Sequence, residues 1–361
     1  MLIALIPAHN EEHCIANAIQ GLLNQTVVPD SILVVADNCT DQTVAVADSF
    51  SLVDTVTTLD NTDKKAGALN QVLAVLLPRM APSDHILVTD ADSVLDTGFV
   101  EHALKTLSNP EYGGVGGTFR GDPGGGFVGH LQRNEYARYA RDVRRLAGRC
   151  LVITGTAAVF PVKVLQEISA ARLKDGTPPS IFNKGRHTPL PSGDGKGGVY
   201  DTSVLTEDNE LSFAIMHLGY KILAPEQCTL TTEVMPTWRD LWNQRVRWKR
   251  GAIENCFQYG LTKVTARYWA RQLVTMLGVL VTFLYLVSLA YAAIAGPLTI
   301  SPLWMSVTGV FVIERVVTVR DRGWRQMLLS ATMYELVLDF FLQFAHAKAV
   351  FDTVFRRKKE W

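Results

Sequence analysis

The residue types best suited to chemistry in this chain are acidic, and they come in short clusters. Asp90 and Asp92, in the run DADS, stand two positions apart just after an apolar stretch. Two carboxylates so spaced at a strand end can share a divalent cation, and Mg2+ or Mn2+ held this way bridges the phosphates of a substrate. A DxD arises about once by chance in a chain of this length, so its position at a strand end carries the signal. Asp37 closes the preceding apolar run. It suits a contact to a nucleobase or ribose, and it equally suits a turn or helix-capping role, as does Asp41. Lys64 and Lys65 open a helical pattern, where a helix amino end and an ammonium together favour a diphosphate. Thr206-Glu207-Asp208 precedes a helix expected to be amphipathic, with Leu211, Phe213, Ile215 and Leu218. These acids read as helix-capping residues placed for the dipole, or as a carboxylate base that the same helix end keeps ionised.

The elements that must position these clusters are legible as apolar runs. Residues 2–6 and 32–36 and the stretch His85–Thr89 read as buried strands. Between them, residues 12–24 place Ile15, Ala18, Ile19, Leu22 and Leu23 on one helical face, and residues 65–77 do so with Ala66, Leu69, Leu73 and Leu76. Strand–helix–strand alternation predicts an α/β fold with a parallel sheet and right-handed crossovers. Ligands in such sheets sit at the carboxyl ends of the strands, where AHNEE, DNCTD and DADS fall. Residues 174–200, rich in Gly and Pro, interrupt the pattern. They read as a loop that orders on a ligand or as a plain surface excursion.

The chain has 361 residues, with 35 basic and 35 acidic side chains, so a nucleic-acid partner is not expected. Its five cysteines are widely spaced without a CxxC, which reads as reduced thiols rather than a disulfide or zinc framework. The beginning MLIALIPAHNEE lacks the basic start of a signal peptide and reads as the first strand. From about residue 271 the composition changes. Residues 273–295 carry no charge, enough as a helix to cross a bilayer. Residues 296–313 are apolar again, and residues 327–350 form a third apolar stretch with Glu335, Asp339, Gln343 and His346 on one face. That stripe suits a helix inside a bundle or one lying in the interface. Basic residues flank this region at Arg267, Arg271 and residues 320–325 and 356–359, while the AGPLTISP loop has none. The positive-inside rule then predicts two spans plus an interfacial helix at the cell membrane, with the soluble domain and the Arg320 loop cytoplasmic and the AGPLTISP loop outside.

Taken in order, PAHNEE, DNCTD, KKAGALN, DADS, TGTAAVF, TEDNEL and QRVRW resemble the GT-A-fold family 2 glycosyltransferases. The resemblance covers about residues 1–260. It extends to the membrane-embedded branch with hyaluronan, cellulose, chitin and poly-N-acetylglucosamine synthases. It implies a cytosolic GT-A domain at residues 1–236, an amphipathic interfacial region with QRVRW at 237–268, and a membrane region with two or three hydrophobic helices at 269–361. It also implies a UDP-sugar donor, a Mg2+ or Mn2+ ion, and a glycan or lipid acceptor at the bilayer. Asp208 would be the general base. Pro7, Asn10, Glu11, Asp37, Lys65, Asp90, Gln244 and Arg247 would bind the donor, and Asp90 and Asp92 the metal. Gly155, Thr156, Glu207 and Trp248 would meet the acceptor.

This resemblance gives QRVRWKRG a chemical rationale. Guanidinium groups stabilise a departing diphosphate, and a flat indole suits the C–H face of a sugar ring. Trp238, Leu241, Trp242 and Arg245 also lie at helical spacing, so an interfacial helix is expected, with Arg245, Lys249 and Arg250 facing lipid or solvent. The expected reaction is a single inverting displacement that forms a β-glycoside. The product is a growing polysaccharide, whose path through the membrane several subunits could build, or a single glycosylated lipid, as in ceramide glucosyltransferase-like enzymes.

Overall fold

The computed structural model describes residues 1–174, 176–182, 187–193, 195–295 and 302–357. The chain divides into two compact units. The first comprises Met1–Asp122, Asp142–Glu233 and Glu254–Tyr268, and the second Pro123–Arg141, Val234–Ile253 and Trp269–Trp361.

The first unit is built on a sheet. Strand β1 (Leu2–Ala8) is buried along its whole length, as expected of a central strand covered on both faces. Helix α1 (Ile15–Leu23) leads to β2 (Ser31–Ala36), α2 (Thr43–Asp48) to β3 (Val53–Thr57), and α3 (Lys64–Leu76) to β4 (His85–Thr89). Strands β1 to β4 pair in parallel in the order β3-β2-β1-β4, so the alternation seen in the sequence is the fold's first half. Pro7 sits beyond the last residue that β1 pairs with β4, where a missing N–H breaks no ladder on that side.

The second half is less regular. Strand β5 (Ser93–Leu95), α4 (Phe99–Leu107), β6 (Tyr112–Gly116), β7 (Thr118–Gly121), α5 (Gly126–Arg145), β8 (Ala157–Pro161), α6 (Val162–Arg172), α7 (Glu207–His217), β9 (Lys221–Leu223) and β10 (Thr229–Thr232) follow. Strand β8 joins β4 antiparallel, β6 joins β8, and β9 completes a seven-stranded sheet. A separate three-stranded sheet has the order β5-β10-β7. The core beneath β1 and β2 gathers Ile6, Ile15, Ile19, Leu22, Val34, Phe99 and Val159.

Helix α7 differs from the amphipathic helix expected: residues 209–215 are all buried. A helix apolar on one face alone cannot be enclosed this way, and here its polar members find partners inside. Glu210, fully buried, accepts from Arg172 Nη2 at 2.6 Å and from the Tyr259 hydroxyl at 2.5 Å.

The second unit is helical. It contains most of α5, the start of α8 (Trp238–Tyr259), most of α9 (Ala266–Ala295), and α10 (Pro302–Thr318), α11 (Trp324–Ala331) and α12 (Leu336–Val354). Val128, Leu131, Leu241 and Leu338 form its apolar cluster, with Trp238 and Phe341 ring centroids 5.0 Å apart. Among the described residues one helix is long and apolar enough to cross a bilayer, Ala266–Ile294, with mean hydropathy 2.3. Helices α11 and α12 qualify only as a pair, bent by 64°. Helix α10 has 17 residues and carries Glu314 and Arg315, and residues 296–301, with which the second apolar stretch begins, lie outside the described residues. The polar stripe on α12 turns inward. Glu335 accepts from Asn134, Ser330 and Arg315 at 2.7, 2.8 and 2.8 Å, Asp339 pairs with Arg315, and His346 is buried. Most of the AGPLTISP loop and residues 358–361 lie outside the described residues.

Candidate active site

The carboxyl ends of β1, β2 and β4 deliver the acidic clusters, as strand order requires. At β1, Asn10 adopts a left-handed backbone (φ 59°), and its Oδ1 accepts the Thr40 N–H at 2.8 Å. That contact ties the PAHNEE turn to the DNCTD turn. The Glu11 N–H donates to Thr43 Oγ1 at 2.7 Å, and its carboxylate accepts from the Cys14 thiol at 3.0 Å. Asp37, at the end of β2, is buried, and its Oδ1 accepts from Thr58 Oγ1 and Asn61 Nδ2 at 2.8 Å each and from Asn38 Nδ2 at 3.1 Å. Three donors fix the carboxylate through one oxygen, and among the described residues the other accepts no hydrogen bond. Asp41 instead caps its own turn, accepting from Thr43 N–H and Oγ1 and from the Glu12 N–H.

A small cavity in the first unit collects the next group. Lys65, Gly155, Glu207, Asp208 and Tyr200 line it, over an apolar floor that includes Val88, Ile153, Ala158, Phe160 and Leu211. The Lys65 ammonium pairs with Asp90, donates to the Gly155 carbonyl at 3.1 Å, and lies 3.7 Å from Glu207. Burial works against that charge, but Asp90 and Glu207 hold the ammonium above its ordinary range. The Thr156 carbonyl accepts from the Asp90 N–H at 2.9 Å and from Thr89 Oγ1 at 3.1 Å, which locks the DADS turn to the start of β8.

Asp208 stands at the second position of α7. Its Oδ2 accepts the Gly155 N–H at 3.0 Å, and its Oδ1 accepts the Asn209 N–H at 2.8 Å. Burial, then the neighbouring Glu207 charge, pushes its pKa up to about 6, with Lys65 opposing. A carboxylate so tuned is ionised at neutral pH and basic enough to take a proton. Asp90 is likewise pushed up to about 6, by burial first, with Lys65 holding it down. Burial also raises Asp92, aided by Glu11 and Glu233 and opposed by a hydrogen bond from Ser93 Oγ at 2.9 Å.

Asp90 and Asp92 fit a divalent cation by charge. Asp90 faces the charges of Asp92 and Glu207, and Asp92 those of Glu11 and Glu233, with Lys65 the cation acting on both; such a surplus of negative charge is relieved by a cation. Among the described residues no three His, Cys, Asp or Glu side chains are arranged to hold an ion by themselves. Two carboxylates suffice where substrate phosphates and water complete the coordination.

The QRVRW residues belong to the second unit, and here one expectation is corrected. Arg245 is 1% exposed and Arg250 6%, so neither faces lipid or solvent. Arg245 donates to Glu135 on α5 at 2.7 Å and to Gln244 Oε1 at 2.6 Å, and it stacks on Trp248 with its guanidinium carbon 4.4 Å from the ring centroid. Arg250 donates to the Arg357 carbonyl at 2.5 Å. A buried guanidinium needs such partners, and α5 and the segment just after α12 supply them. Arg247 is half-buried and Trp248 is exposed.

The sequence pattern did not single out Tyr200, Glu233, Thr58 or Asn61. Tyr200 ends the Gly/Pro-rich segment six positions before TED, and an aromatic residue there was the available signal.

Comparison with known proteins adds to this geometry. The family described as "Glycosyltransferase like family 2" matches residues 2–251. The poly-beta-1,6-N-acetyl-D-glucosamine synthase of Staphylococcus aureus (strain COL) is 24% identical over 298 residues, 78% of this chain and 63% of that protein. The enzyme of the same name from Staphylococcus epidermidis is 24% identical over 260 residues, 69% of this chain and 54% of that protein. The chain thus spans less than two thirds of the length of these curated relatives. Among solved structures, the mannosyltransferase PcManGT from Pyrobaculum calidifontis, in complex with GDP-Man and Mn2+, superposes with a TM-score of 0.63 at 16% identity. That match covers 99% of this chain and 88% of the other, and it is a likeness of fold.

Proposed function

The chain belongs to glycosyltransferase family 2, and we propose that it is an inverting transferase that moves a sugar from UDP to a growing glycan at a membrane. The observation that carries this reading is Asp208, aligned by the Gly155 N–H in a cavity that Lys65 also lines, the Lys65 ammonium pairing with Asp90. A base for the acceptor and a cation for the leaving group thus stand side by side. The polymer product rests on the synthases to which the chain is 24% identical, and the bilayer on helix α9.

In the proposed reaction the Asp208 carboxylate takes the proton of an acceptor hydroxyl. That oxygen forms a bond to the anomeric carbon from the face opposite the nucleotide. The bond from the anomeric carbon to the diphosphate breaks, and UDP departs with the electron pair. An α-linked donor gives a β-glycoside. Lys65 stabilises the charge gathering on the diphosphate. Asp37 holds the uracil or ribose through its free oxygen, with Pro7, Asn10 and Glu11 shaping that pocket. A Mg2+ or Mn2+ ion held by Asp90 and Asp92 would neutralise the diphosphate. Gly155, Thr156 and Glu207 flank the acceptor. The roles of Gln244 and Arg247 toward the diphosphate, and of Trp248 beneath the acceptor sugar, rest on their places in the QRVRW motif.

The test is transfer from labelled UDP-sugars by the full chain in membranes, with Asp208→Asn alongside. The wild type is expected to release UDP and build a ladder of oligosaccharides. The variant is expected to bind UDP with unchanged affinity and lose transfer by about a thousandfold or more. A single lipid-soluble product would reject the polymer reading, and an active Asp208→Asn protein would reject this base.

A further inference from the structure

Tyr200 lines the cavity shared by Lys65, Glu207 and Asp208, and no motif assigns it a task. It stands at the end of a long loop, yet its backbone is held on both sides by one side chain of α3. The Tyr200 N–H donates to Asn70 Oδ1 at 2.9 Å, and Asn70 Nδ2 donates to the Tyr200 carbonyl at 2.8 Å. The neighbouring residues are fixed as firmly. Ser169 Oγ donates to the Gly197 carbonyl at 2.6 Å, Arg172 Nη2 to the Val199 carbonyl at 3.2 Å, and Gln258 Nε2 to Asp201 Oδ2 at 2.6 Å. The ring is therefore anchored as securely as one on a strand.

The side chain is 5% exposed, and among the described residues its hydroxyl makes no hydrogen bond to protein. That hydroxyl is not among the side-chain atoms sealed off without a partner, so it is the cavity, rather than the protein, that supplies its partner. The charges acting on this phenol are those of the proposed reaction: Lys65, Glu207, Asp208 and Asp90. Burial, reinforced by the carboxylates, keeps it protonated, so it can donate. Lys65 and Asp90 mark the diphosphate end of the donor and Asp208 the attacking end. Between the two lies the sugar being transferred.

We propose that the Tyr200 hydroxyl hydrogen-bonds a polar group of the transferred sugar ring, and so helps to select the donor sugar. This rests on the glycosyltransferase reading above. A hydroxyl in an apolar-floored pocket discriminates strongly, because an analogue lacking the matching group leaves it unpaired.

The experiment uses the full chain in membranes, UDP-N-acetylglucosamine, UDP-glucose and the ring-deoxy analogues of whichever donor is turned over. Tyr200→Phe is expected to lower kcat/KM for the intact donor about tenfold while leaving UDP affinity within about twofold. One deoxy donor is expected to cost the wild type about tenfold and Tyr200→Phe almost nothing, so that the two losses do not add. A merely structural tyrosine would weaken every donor alike. Deoxy donors penalised equally in both proteins, or an unchanged Tyr200→Phe, would overturn the contact alone. A wild type that turns over no sugar nucleotide would overturn the function and this contact with it.

Discussion

Replacing Glu207 with Gln tests how the proposed base is tuned. Asp208 stands at about 6, about two pH units above its ordinary 3.8, and burial contributes most, with the Glu207 charge next. Two units correspond to about 3 kcal/mol of preference for the protonated form. Gln keeps the shape of Glu207 and removes its charge, so about one unit should be recovered, the size expected of one nearby charge. The sign follows from the role: a base works when ionised, so activity is lost as pH falls through its pKa. In the wild type, kcat/KM should fall below pH 6, to about a tenth of its plateau at pH 5. In Glu207→Gln the same limb should lie near pH 5, with about half the plateau retained there. The assay is UDP release from pH 4.5 to 8.5 at donor concentrations well below KM. The plateau itself can drop, since Glu207 flanks the acceptor, but the limb position does not depend on its height. A limb that stays in place, or moves to higher pH, would refute the assignment of Asp208 as base or of Glu207 as its neighbour.

Two further outcomes follow from buried carboxylates. Arg172→Met leaves Glu210 charged and fully buried without its cation, and should lower unfolding stability by about 3–5 kcal/mol, measured by urea titration. Pairing it with Glu210→Leu should restore most of that loss. Asp37→Ala should weaken UDP binding by about tenfold in calorimetry and lower stability by about 1–3 kcal/mol, because the buried Thr58 and Asn61 lose their shared acceptor. Unchanged UDP affinity would return Asp37 to a purely structural turn.

How far the fold can be read from the chain depends on how local its causes are. The strand at His85–Thr89 is found where the apolar run puts it, and β1 and β2 extend their runs by one or two residues. These strands are buried on both faces, so the apolar signal is continuous. The same logic located Asp37, Asp90 and Asp92, because strand ends in a parallel sheet form one edge. The less regular second half offered no such signal: β5, β9 and β10 have three or four residues each, and their pairing is settled by distant partners. Tyr200 was hidden for a related reason. Its anchor, Asn70, lies 130 positions away. The burial of Arg245 was misread because its partner Glu135 lies on a helix whose sequence is largely polar. Helix α7 looked half-exposed because Glu210 and Ser212 are polar, and only the fold reveals Arg172 opposite the first.

Gly155 touches two charges of opposite sign, its carbonyl facing the Lys65 ammonium and its amide facing the Asp208 carboxylate. Under the proposed roles, this one peptide unit would tie the leaving-group end of the reaction to its base. A Cβ added at Gly155 would stand 3.3 Å from Asp208, so a side chain there would disturb both ends at once.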